Sequence, residues 1–348
     1  MNAEATTIAV DAMGGDLGPQ EVVAAVKLAL DALPQLKHLV LIGDEATLNP
    51  LLKAEGLKGD ARVRVHHASE VIGMEEKPRT ALKKKNASMN QGFDLLKSGD
   101  ASVLLSTGNT SCLMAGGMLR LRSMPGLERA AIATVWPSPK RNFILIDAGA
   151  NPDPKAEHLM HNALLGSHYA RVVLGKERPT VGLLTIGTEE GKGKKLITDT
   201  HEMLKKLGDM IAYQGPIEGF NVFESDIDVI VCDGFVGNIL LKTSESLFHV
   251  MGNFLKDELK KSWIRKLGAF LAMPAFKAVK KRLNPEQFGG APLLGLQGNV
   301  LKAHGGSNRI ALMNAIRIGL DIMKHDMNDQ IQHDVASANA IINEESAS

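Results

Sequence analysis

Cysteine is almost absent from this chain: Cys112 and Cys232 are the two present in 348 residues. A disulfide framework is thereby excluded, and no closely spaced cluster of cysteine and histidine offers a zinc site. A reducing compartment is expected. Charge of one sign is also missing, because 40 basic and 39 acidic residues leave a formal net charge of +1. The broad positive field needed for sequence-independent nucleic-acid binding is therefore lacking, and any acidic partner must be met by a local patch. Aromatic residues are scarce at 4%. Met1 to Thr7 has neither the basic start nor the apolar run of a signal peptide, and no stretch approaches the roughly 20 apolar residues of a membrane-spanning helix. A cytoplasmic protein is the expectation.

What is present is an ordinary soluble composition, 44% hydrophobic and 23% charged, on a chain long enough for one large core or two smaller ones. Short apolar runs alternate with helical periodicity over most of its length, which predicts a parallel sheet covered by helices on both faces. Strands are expected at Thr7 to Val10, His38 to Ile42, Arg62 to His66 and Ser102 to Leu105. Further runs lie at Ala131 to Val135, Phe143 to Ile146, Val181 to Ile186 and Asp228 to Val231. A helix is expected from Pro19 to Leu33, because proline suits a first helical turn.

Two stretches depart from simple repetition. Phe235 to Leu283 is almost unbroken helix-like sequence with a break expected at Met273-Pro274, where proline lacks an amide donor; it reads as a helical hairpin or an arm. Gly289 to His304 reads as a turn plus one strand, leading to a long helix from Ser307 to about His325. Ala336 to Ser348 reads as a frayed tail. With no internal repeat or low-complexity linker, residues 1–335 are expected to form a single α/β domain, with the arm at about 256–283.

Ligands of open parallel sheets bind beyond the carboxyl ends of the strands, so the residues after each apolar run carry the chemistry. Five such ends are alike: Asp11-Ala-Met-Gly-Gly-Asp16, Ser106-Thr-Gly-Asn-Thr110, Asp147-Ala-Gly-Ala-Asn151, Gly187-Thr-Glu-Glu-Gly-Lys192 and Asp233-Gly-Phe-Val-Gly-Asn238. Glycine and Asp/Asn in one loop are ordinary turn and cap chemistry. In five loops together they suggest a shared site where backbone amides and helix N-termini meet an anion such as phosphate. Named alternatives fail. No G-x-G-x-x-G follows the first strand, Gly187 to Lys195 lacks the P-loop order, and no G-x-S-x-G elbow is present. Nor is any histidine followed five positions later by aspartate.

With these blocks in order, the sequence closely resembles the acyl-ACP:phosphate acyltransferase family (PlsX) of bacterial phospholipid synthesis. The resemblance runs from Ile8-Ala-Val-Asp-Ala-Met-Gly-Gly-Asp16 through the other strand ends and Glu157-His-Leu159 to Phe288-Gly-Gly-Ala-Pro-Leu-Leu-Gly295 and Lys302-Ala-His-Gly305. Lys194-Lys195 stands where the family more often has Asn-Glu, and Ala87-Ser88 where it has Ser-Ser. The resemblance implies a three-layer α/β/α Rossmann-like sheet related to the phosphotransacetylase and isocitrate dehydrogenase group, with a protruding helical arm, and a homodimer. It also implies reversible transfer of a fatty acyl group from acyl carrier protein to inorganic phosphate, with no cofactor or metal.

Moving an acyl group from a thioester to phosphate needs a bound phosphate, a stabilised oxyanion and exclusion of water, and no protein nucleophile. Expected catalytic groups are Lys192 and Asn238 as donors, with His158 and His304 for proton transfer or donation to phosphate. Expected binding groups are Gly14, Gly15, Ser106, Gly108, Asn109, Thr110, Gly149, Asn151 and Gly234. Asp11, Asp16, Asp147 and Asp233 are expected at the site to orient donors or cap helices. A rival route runs through a cysteine acyl-enzyme.

From Lys256 to Arg282 nine basic residues and two acidic ones are interleaved with Trp263, Leu267, Phe270, Leu271 and Phe276, and Gly268 to Phe276 carries no charge. The pattern fits an apolar tip in an anionic bilayer, with peripheral association at the inner face of the membrane, or a hairpin buried in a dimer. Family resemblance implies delivery of product to a membrane glycerol-3-phosphate acyltransferase. Acidic acyl carrier protein needs a basic surface; Lys77, Arg79, Lys83, Lys84 and Lys85 offer one and the arm another. Two other classes stand beside this reading, an NAD-dependent dehydrogenase of the related fold and a non-catalytic scaffold of lipid synthesis.

Overall fold

A computed structural model describes residues 7–187, 194–283 and 285–346. Eleven strands join one sheet: β1 Thr7–Asp11, β2 His38–Gly43, β3 Val63–His67, β4 Val103–Ser106, β5 Ala131–Pro137, β6 Asn142–Ile146, β7 Thr180–Thr185, β8 Ala212–Glu218, β9 Val229–Val231, β10 Ala291–Leu294 and β11 Asn299–Lys302. Their order across the sheet is β3-β2-β1-β4-β11-β10-β5-β6-β9-β7-β8. Helices cover both faces. Alternate residues of β1 serve opposite layers, Ile8 and Val10 in one apolar cluster and Ala9 in another. Burial on both faces explains why the central strands read as unbroken apolar runs.

The expected all-parallel sheet is corrected. β10 pairs antiparallel with β11 and with β5, and β5 pairs antiparallel with β6. Three reversals separate β11 from β6, so β6, β9, β7 and β8 run opposite to β1 to β4. Short connections force this: residues 138–141 join β5 to β6 and residues 295–298 join β10 to β11, too few for a parallel crossover. The stretch read as one strand after Gly289 is this second hairpin. β8 escaped the sequence because it is a half-exposed edge carrying Gly215 at φ 100° and Pro216, which interrupt strand alternation.

Two further expectations change. The arm breaks twice, since Ser262 ends the helix Gly234–Lys260 by capping the next one, Trp263–Leu271, through its hydroxyl and the Arg265 amide at 3.3 Å. Pro274 lies in the first turn of the third helix, Met273–Leu283, where its missing amide is harmless. The arm also begins earlier than residue 256, since residues from Lys242 onward are mostly exposed.

The tail is helical, not frayed: Met327–Ser346 is one helix, with Val335 and Ala338 0% exposed. It is held by the buried helix Ala156–Leu174 through His161 Nε2 to Asn339 Oδ1 at 2.7 Å and His168 Nε2 to Asp334 Oδ2 at 2.9 Å. Burial pushes the pKa of both histidines down. The unfolded chain therefore binds more protons than the folded one below the ordinary histidine value of about 6.5. Their contribution is complete above that pH and is lost as pH falls through the depressed values. We expect the melting temperature to fall between about pH 7 and pH 5.5, and to fall less steeply in His161→Gln; equal slopes would remove the histidine from the explanation.

Candidate active site

Three adjacent strands end level with one another, and their last residues, Asp11, Ser106 and Lys302, stand side by side in register. Asp11 Oδ2 accepts from Ser106 Oγ at 2.7 Å, and that oxygen in turn accepts the Gly108 amide at 3.1 Å. The loop after β1 presses onto the loop after β4 so closely that a Cβ on Gly14 would lie 2.8 Å from Gly108 Cα. Only glycine permits that approach. Lys302 Nζ donates to the Thr107 carbonyl at 3.1 Å and to the Ala303 carbonyl. Burial pushes its pKa down to about 8, against the pull of Asp11 and Asp16, and the charge of Lys242 adds to the lowering. His304, exposed, accepts the Gly306 amide on Nδ1 at 3.1 Å.

The reversal of direction makes β6 and β9 run toward the level where β4 and β11 end: Ile132 lies opposite Leu293, Leu293 opposite Val300, and the Ala148 amide bonds the Ile132 carbonyl, so the Asp147 loop stands close to the level of Lys302. There Asp147 accepts the amides of Ile132, Gly149, Ala150 and Asn151 at 3.2, 3.0, 2.7 and 2.6 Å. Asn151 donates to the Ala130 carbonyl at 2.7 Å and accepts the Gly234 amide at 2.8 Å. Asp233 caps the helix Gly234–Lys260 by accepting the Val236 amide at 2.8 Å. That helix leads toward the first group: Gly237 packs on the Asp147 carbonyl, Asn238 stands against Gly149, and one turn later Lys242 is close enough for its charge to act on Lys302. The two groups of strand ends thus stand at nearly one level of the sheet, and Ala148, Ala150 and Leu241 pack in the same apolar cluster as Cys112 and Leu113 of the helix Thr110–Gly116.

A family model described as fatty acid synthesis protein matches residues 6–330. The chain belongs to this family. The phosphate acyltransferase of Syntrophotalea carbinolica is 43% identical over 330 residues, covering 94% of this chain and 93% of its own. That of Aquifex aeolicus is 39% identical over 328 residues, covering 94% and 96%. Among solved structures, a phosphotransacetylase from Streptococcus pyogenes aligns with a TM-score of 0.59 at 17% identity over 92% of this chain and 95% of its own. A branched-chain phosphotransacylase from Enterococcus faecalis gives 0.56 at 16% identity over 91% and 98%. The family and the fold expected from the strand-end blocks are both found, and the chain is an acyltransferase acting in lipid synthesis.

Within this family member the expected site residues divide by what their side chains already do. Asp11, Ser106, Asp147, Asn151 and Asp233 are engaged in the bonds above. Asn109 is engaged twice: Oδ1 caps the helix Thr110–Gly116 at the Cys112 amide, 3.1 Å, and Nδ2 holds the carbonyls of Met74 and Glu76 at 2.6 and 3.1 Å. His158 is locked and 6% exposed, accepting the Lys155 amide on Nδ1 at 3.1 Å and donating to Glu128 at 3.0 Å from Nε2. Open to a ligand are exposed Asn238, Thr110, Asp16 and His304, and the amides of Gly14 and Gly15, which no described residue accepts. Lys192 lies outside the described residues. Lys302 was not singled out from sequence, although the block Lys302-Ala-His-Gly305 closes an apolar run as the other strand ends do. Both cysteines are buried, and burial pushes their thiols up, Cys232 most.

Proposed function

We propose that this acyltransferase moves a fatty acyl group, reversibly, from the thioester of acyl carrier protein to inorganic phosphate, supplying acyl phosphate for phospholipid synthesis. The observation that carries the reading is the name phosphate acyltransferase borne by relatives matching 94% of the chain at up to 43% identity. Direct attack by phosphate is supported by the state of the cysteines, since a buried thiol with a raised pKa is a poor nucleophile. Asn238, His304 and the free amides of Gly14 and Gly15 supply donors for the anion and the developing oxyanion. Incubating the folded protein with acylated carrier and phosphate, then trapping acyl phosphate with hydroxylamine, tests this; no hydroxamate would remove it.

Of the two basic faces, the one around Lys77, Arg79, Lys83 and Lys85 is the better carrier dock. Asn109 ties its segment beside Gly108 through Met74 and Glu76, and Lys84 pairs with Glu76 within it. The arm serves two other ends in this reading. Leu247, Met251 and Phe254 form an exposed apolar stripe on the helix Gly234–Lys260, suited to a second copy of the chain. Its tip carries Phe270 and Leu271, 71% and 72% exposed, with Trp263 and Leu267, while Phe276 is half-buried. No helix among the described residues is long and apolar enough to cross a membrane; the tip is suited to lying in one leaflet beside anionic headgroups. We expect co-sedimentation with anionic vesicles to drop at least tenfold on Phe270→Glu with Leu271→Glu; unchanged binding would assign the tip elsewhere.

A further inference from the structure

We propose that Lys302 is the acid that protonates the departing sulfur of the acyl donor, an assignment that rests on the reaction read above. Its position argues for this. Lys302 closes β11 beside Asp11 and Ser106, and its ammonium is pinned by the Thr107 and Ala303 carbonyls, which take two of its three protons. Thr107, 3% exposed, has a hydroxyl without a hydrogen-bond partner beside Gly15, next to the unaccepted amides of Gly14 and Gly15. One corner thus offers spare donors for a carbonyl oxygen and a cation a short distance away.

The local charges set how firmly that cation holds its proton. Asp11 from β1 and Asp16 from its loop face it, Lys242 reaches it from the helix Gly234–Lys260, and His304 follows two residues on. Ser106 and Thr107 of the β4 end bring hydroxyls only. The charges of Asp11 and Asp16 favour the ammonium form of Lys302, which holds its proton until a thiolate forms beside it.

The step balances without a co-reactant. A phosphate oxygen forms the C–O bond, the C–S bond breaks with its electron pair going to sulfur, and Lys302 Nζ gives sulfur a proton. Hydrogenphosphate releases one proton on becoming acyl phosphate, and that proton recharges the amine. Burial brings the lysine down to about 8, nearer the operating pH, where a general acid is most effective.

Leaving-group dependence tests it. The wild type, Lys302→Met and Lys302→Arg are assayed with phosphate and two donors, an S-acyl pantetheine and an S-acyl thiophenol whose thiolate leaves without help. Lys302→Met is expected to lose about 10²- to 10³-fold with the alkyl thioester and under about tenfold with the aryl one. Lys302→Arg keeps the charge but holds its proton, and is expected to behave like Met. Equal losses with both donors, as misfolding or a purely structural lysine would give, overturn the assignment, and so does rescue of the alkyl thioester by arginine. A wild type that makes no acyl phosphate from either donor removes the reaction itself.

Discussion

Gly237→Ala is expected to destabilise the protein by at least ~3 kcal/mol, although glycine to alanine inside an exposed helix normally stabilises by roughly 0.8 to 1 kcal/mol. The reversal follows from one joint. A Cβ on Gly237 would fall on the carbonyl oxygen of Asp147, with the Cys232 sulfur 3.0 Å away. A Cβ has no rotamer that escapes, and the atom it meets is backbone, so the helix Gly234–Lys260 must lift from the sheet. Asn238 and Lys242, one residue and five residues further on, leave with it, so the protein that still folds loses activity too. Gly252→Ala in the same helix is the control: a Cβ there meets nothing within 4 Å, and a gain of up to about 1 kcal/mol is expected. Urea unfolding of both variants decides the matter. If the two behave alike, the helix does not bear on Asp147.

Much of this joint is legible in the sequence, and the reason it is only partly so is physical. Asp147, Asn151, Asp233 and Asn238 announce themselves because polar residues and glycines follow buried apolar runs, and those runs are local in sequence. Strand direction is not local. Whether β6 runs with β1 or against it depends on two hairpins, and apolar runs read the same either way. The alike loops therefore read as following strands of one direction, whereas two opposed sets of strands bring the described ones to nearly one level of the sheet. Residue type was also a poor guide to availability: Asn109 and Asn151 have the chemistry of ligand donors, yet each is consumed by backbone groups of its own fold. Lys302 shows the converse. One lysine among 40 basic residues carries no mark in the sequence, and its distinction comes from burial and from Asp11 and Asp16 alongside. The tail was misread for a plainer reason. Ile331, Val335 and Ala338 have helical spacing and are all 0% exposed, but serine, asparagine and alanine around them dilute the apolar signal.

Asp147→Ala should prove nearly as damaging, with an expected loss of about 4 kcal/mol or more. Asp147 is 0% exposed, and besides the four amides it accepts the Asn151 side-chain amide at 3.3 Å. Each buried donor left without an acceptor costs roughly 1 to 3 kcal/mol, and water filling the vacated volume recovers part of the sum. Asp147→Asn preserves the shape yet turns one acceptor into a donor facing N–H groups, so it is expected to lose about 2 kcal/mol or more rather than to be tolerated. A ligand-binding aspartate would behave differently: asparagine would keep stability and lose turnover alone. Urea unfolding alongside activity separates the two roles, and stability within ~1 kcal/mol of wild type in Asp147→Ala would return this carboxylate to the chemistry. Gly237 packs on the backbone carbonyl of Asp147, and the Asp147 carboxylate holds the loop that follows that carbonyl, so the double variant should lose less than the sum of the single changes. That shortfall, not either loss alone, would identify the joint as what positions Asn238 and Lys242 against the strand ends.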